Sequence, residues 1–86
     1  MFDGYVSYGG TLGGDVLTIV KGVKNGITIF NNSNSPSNRP TGCDWGAYVV
    51  FRNGTQVSII YMDKTKFACT YSINTDASTS ITWKVI

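Results

Sequence analysis

Residues 47–61 read AYVVFRNGTQVSIIY, two apolar runs joined across Asn53-Gly54. Asn-Gly takes up the positive φ values that a two-residue hairpin turn demands, so the stretch reads as two antiparallel strands. A loop of Asn53 and Gly54 would pair Arg52 with Thr55, Val50 with Val57 and Tyr48 with Ile59 on one face. Phe51 with Gln56, Val49 with Ser58 and Ala47 with Ile60 would then share the other. The first face is apolar beyond the tip and the second is half apolar, which is more than one thin domain readily covers.

The flanks continue in the same idiom. After the turn Asp63-Lys64-Thr65-Lys66, residues Phe67, Cys69, Tyr71 and Ile73 alternate with Ala68, Thr70 and Ser72, the period of a half-buried strand. A polar loop from Asn74 to Ser80 leads to Ile81, Trp83 and Val85 alternating with Thr82 and Lys84, before an apolar end at Val85-Ile86. Upstream, Asp15 stands as an N-cap before Val16, Leu17, Ile19, Val20 and Val23, a spacing of one to two helical turns. The same β-branched residues also suit a strand entering an Asn25-Gly26 turn, and in either case Ile27 to Phe30 form a short strand. Residues 1–14 hold five of the ten glycines and read as an extended lead-in, with 15–86 as the folded domain.

Residues 31–44, NNSNSPSNRPTGCD, are almost free of apolar side chains. Their Asn and Ser side chains can close turns on their own backbone and so order a loop that lacks a core. At this length such a segment is a plain connector or a binding loop. Asn31-Asn32-Ser33 and Asn53-Gly54-Thr55 match the glycosylation acceptor pattern, which is read as chance because the opening residues do not read as a signal or transit peptide.

Composition agrees with a mainly β class: Val, Ile and Thr abound, Leu and Ala are few and Glu is absent. The 86 residues make one domain. Surface scaling gives about 8,500 Å² buried on folding. If some 60% of it is apolar, burial contributes roughly 130 kcal/mol. Ordering the chain costs roughly the same. A near-zero balance calls for a disulfide, a metal or an oligomer. Two Cys with no His do not make an ordinary zinc site. Cys43 and Cys69 can pair in only one way, yet they read as a loop thiol and a strand thiol buried with Phe67 and Tyr71 rather than as a staple. An oligomer is left as the expected supplement.

Chemistry is thin. The net charge of +2 is scattered, with no basic run to follow phosphates, so nucleic acid is not the expected partner. No apolar run approaches the ~20 residues that span a bilayer, so membrane insertion is not expected either. With no His, no Glu and five dispersed Asp, no catalytic constellation forms and no cofactor cradle is present, so no enzyme is expected. Asp44 and Asp63 are each a single carboxylate, more often a turn former than a cation ligand.

Asn38-Arg39-Pro40, then Trp45-Gly46, the strand Val49-Val50-Phe51, Gln56 in the return strand and Trp83-Lys84 near the end resemble the knob domain of phage tail fibres and R-type pyocin tail fibres. Asp15 to Gly26 is similar to that family's short lead helix and Gly-started strand, so the resemblance spans residues 15–86. The chain departs from the pattern where the family carries an Arg in the penultimate strand and a second Trp beside the last; here stand Phe67 to Tyr71 and Ile81.

The resemblance implies a small antiparallel β domain, sandwich-like or knob-shaped, with a short helical turn near its N-terminus. It implies a homotrimer at the receptor-binding tip of a virion tail fibre, outside the cell, attaching to a bacterial surface polysaccharide. Aromatic rings stack on sugars while Asn, Asp and Arg bond hydroxyls, so Arg39, Asp44, Trp45, Tyr48 and Tyr61 are the expected ligand-binding residues. Trp45 and Trp83 also read as core residues at strand starts. A secreted carbohydrate-binding module and a purely structural fibre segment are the alternatives.

Overall fold

A computed structural model describes residues 6–86. Seven strands and one short helix follow in the order β1 (Val6–Thr11), α1 (Val16–Lys21), β2 (Gly26–Asn31), β3 (Ala47–Asn53), β4 (Gln56–Met62), β5 (Phe67–Thr70), β6 (Ile73–Asn74) and β7 (Trp83–Val85). They form one open sheet in the order β1-β2-β3-β4-β5-β7, with β6 pairing the free end of β4. The mainly β class is as the sequence indicates. The sheet is mixed rather than antiparallel throughout, because β1 runs parallel to β2, and all the strands join one sheet rather than the two of a sandwich. A parallel pair needs a crossover, and α1 supplies it. Thus the 6–11 part of the lead-in is an edge strand of the sheet; residues 1–5 lie outside the described residues.

Asp15 caps α1 as its sequence position indicates: its carboxylate accepts from Thr18 N at 3.2 Å and Thr18 Oγ1 at 2.8 Å. Burial alone would raise the Asp15 carboxyl, but the bonds from Thr18 and Asn38 outweigh it and hold the group below its ordinary value. At the other end, Arg52 on β3 reaches back and donates through Nη1 to Lys21 O (3.3 Å) and Val23 O (2.5 Å). A guanidinium from the hairpin thereby satisfies carbonyls that a helix end leaves without partners. Asn25 does not turn a hairpin; its Oδ1 accepts from Gly54 N at 2.9 Å and ties the crossover to the hairpin tip.

The β3–β4 hairpin has a different register from the one expected. Asn53 pairs with Gln56, Val50 with Ile59 and Tyr48 with Tyr61, so the two loop residues are Gly54 and Thr55. Only Gly54 has positive φ (+64°), the arrangement of a turn with Gly at its first central position. The pairing moves by two residues, so every side chain keeps its face.

One face of the sheet is covered. Val16, Leu17 and Val20 of α1 pack with Phe30, Tyr48, Val50, Val57, Ile59 and Tyr61, and Cys43 of the 31–44 loop joins the same core. Pro36 and Pro40 are fully buried in that loop. Asn32 Nδ2 donates to Cys43 O at 2.9 Å and Arg39 Nη1 to Pro36 O at 2.8 Å. The segment is therefore a packed second layer, held by side-chain bonds in place of a regular element.

The phase of β5 is opposite to expectation. Ala68, paired with Tyr61, is buried, while Phe67 is exposed and Cys69 is half-buried on the other side; Tyr71, beyond β5, is exposed as well. The small side chain is the one that fits beside the Tyr61 ring. Cys43, expected as a loop thiol, is the fully buried cysteine; burial pushes its thiol up, and both cysteines are free.

Candidate functional site

At one end of the β3–β4 hairpin, the close of the 31–44 loop meets the turn between β4 and β5. Ala47 pairs with Met62, so Trp45 and Asp63, just beyond that pair on the two strands, come to the same edge. An open groove of about 470 Å³ lies there, lined by Gly42, Asp44, Trp45, Asp63, Lys64, Thr65 and Lys66. Trp45 is 67% exposed, which makes it a surface ring and not the core residue its position also allowed.

Each wall is held from behind. Arg39 Nε donates to Asp44 Oδ1 at 3.1 Å in a half-exposed ion pair, an interaction of about 1 kcal/mol or less whose role is to orient both side chains. In the opposite wall, Asp63 Oδ1 accepts from Thr65 N and Lys66 N, both at 2.7 Å, and Oδ2 accepts from Tyr61 Oη at 2.5 Å. These donors, Tyr61 foremost, hold the Asp63 carboxyl down to about 2. A depressed carboxyl stabilises the fold at pH values above its unfolded pKa, and that contribution is lost as the pH falls toward 2. Among the described residues no cluster of three metal-ligating side chains exists.

The five expected contact residues divide. Arg39, Asp44 and Trp45 stand together at the surface, with Asp44 and Trp45 lining the groove. Tyr48 and Tyr61 are both fully buried, so neither can touch a surface ligand. Alternation puts them on the inner face, under the 31–44 layer, with their ring centroids 5.5 Å apart. Trp83 is half-buried against Tyr48 and donates from Nε1 to Asn38 O at 2.6 Å, a packing role.

Asp63, Lys64, Thr65 and Lys66 were legible only as a turn. The hairpin pairing itself was the available signal, because it brings this turn beside Trp45.

The two buried tyrosines differ in one respect. Tyr61 has its Asp63 partner, whereas Tyr48 Oη is buried with none among the described residues. Tyr48→Phe is therefore expected to leave stability unchanged or raise it by up to about 1 kcal/mol. Tyr61→Phe should lower the melting temperature and return the Asp63 carboxyl toward its ordinary range. Thermal melts of both variants and an NMR titration of Asp63 check this; a Tyr48→Phe variant melting well below Tyr61→Phe would refute it.

Searches against family models, curated proteins and solved structures find no match to this chain.

Proposed function

We propose that the chain is an attachment domain that binds a bacterial surface glycan in the Trp45 groove and works as an oligomeric receptor-binding tip of a phage tail fibre. The observation that carries the reading is the exposed Trp45 ring at the rim of a groove whose other walls are polar and charged. An aromatic face takes the apolar face of a sugar, and neighbouring hydrogen-bonding groups take its hydroxyls. The groove is shallow, so a single site is weak and several copies on one tip raise the avidity.

The uncovered face of the sheet supports the oligomer. Val6, Tyr8, Phe51, Met62 and Phe67 lie exposed on it, with Val49 and Ile60 half-buried between them, and none belongs to the core. A continuous apolar surface of this kind marks an interaction site. Copies of the chain would assemble through it and leave the Trp45 edge outward. The fibre context rests on the resemblance of residues 15–86 to tail-fibre knobs.

Trp45→Ala should abolish adsorption of a fluorescent fusion to a panel of bacterial strains while leaving the melting temperature as it was, because the ring is not in the core. Adsorption of the variant equal to that of the parent, or no strain bound by the parent, would overturn the reading.

A further inference from the structure

The charges in the groove are not equally available. Both carboxylates are spent within the protein: Asp44 on Arg39, and Asp63 on Tyr61, Thr65 and the Lys66 amide. Lys64 and Lys66 are exposed, and neither ammonium has a hydrogen-bond or ion-pair partner among the described residues. Lys66 Nζ lies beside Gly42, where a Cβ would be 3.7 Å away, so this charge sits within the lining of the groove. Gly42 has φ of +75° and no side chain to block the approach.

From this arrangement we infer that the groove takes an anionic saccharide, a sugar carrying a carboxylate or phosphate group that meets Lys64 and Lys66 while its ring lies on Trp45. This rests on the glycan-attachment reading and adds the charge of the ligand. A neutral sugar would leave both ammoniums without partners, whereas an anionic group forms charge-assisted hydrogen bonds with them. Arg39 offsets the charge of Asp44, and the two ammoniums outnumber the one charge that Asp63 keeps.

The test measures binding of the chain to three immobilised probes: an oligogalacturonate, a phosphorylated mannan oligosaccharide and a neutral galactan oligosaccharide. At least one acidic probe should bind about tenfold or more tightly than the neutral one, with the preference shrinking as salt screens the pair. The double variant Lys64→Gln/Lys66→Gln should lose that preference and keep its melting temperature. Which acidic probe binds tells carboxylate from phosphate. Equal or better binding of the neutral probe, or an unchanged preference in the double variant, overturns the charge assignment and leaves the glycan reading standing. Refusal of all three probes overturns both.

Discussion

Replacing Phe51 and Met62 together by lysine is expected to take the protein from a mass near three chains to a mass near one in light scattering at micromolar concentration, with the fold intact. Both side chains lie on the uncovered face, 39% and 52% exposed in the single chain, and neither belongs to the core. The single copy therefore loses little. In the assembly the part of each side chain still exposed would be buried, worth about 0.6–1.5 kcal/mol apiece, and two ammoniums without partners would take their place.

The size of the face suits the purpose. Six hydrogen-bonded strands about 4.8 Å apart and some six residues long present roughly 500 Å² of flat sheet. Two such faces together bury roughly 1,000 Å², the threshold for a specific interface. Three copies turned toward a common axis would share it in closed symmetry. A parent that is already monomeric while unfolding cooperatively would sink the prediction. A parent mass near two chains would keep the face as the interface and refute the trimer.

Gly46→Ala is expected to be strongly destabilising. A Cβ at Gly46 would stand 2.6 Å from Met62 O and 2.8 Å from Tyr61 Oη. The first is backbone of a central strand, and the second is pinned by Asp63, so neither can move aside freely. Gly46 O also accepts from Asn32 N at 2.8 Å, which anchors the start of the 31–44 layer. Overpacking of this kind costs about 2–3 kcal/mol. For a domain of this size it lowers the melting temperature by about 10–20 °C.

Gly13→Ala is the control, since a Cβ there meets nothing within 4 Å and its φ is not positive. It should melt with the parent or slightly above it. Circular dichroism melts of the two variants decide the matter, and a Gly46→Ala melt within about 3 °C of the control would refute the account.

The sequence by itself determined what is local. The mainly β class follows from Cβ branching and two-residue alternation, the 47–61 hairpin from Asn53-Gly54, although its loop falls one residue later at Gly54-Thr55, and the start of α1 from Asp15 ahead of apolar residues at helical spacing. Trp45, Asp44 and Arg39 were legible as a group for the same reason: they follow one another closely on a polar segment.

Only the tertiary structure decided which side of each strand is covered. In β3, β4 and β5 both faces carry apolar residues, so alternation names two faces without saying which one α1 and the 31–44 layer will occupy. Tyr48 and Tyr61 went under that layer, and Ala68 rather than Cys69 went inward. The parallel pairing of β1 with β2 likewise depends on a crossover whose ends are distant in sequence. Such contacts form because packing two layers buries the most apolar surface, a property of the whole chain that no short window of it carries.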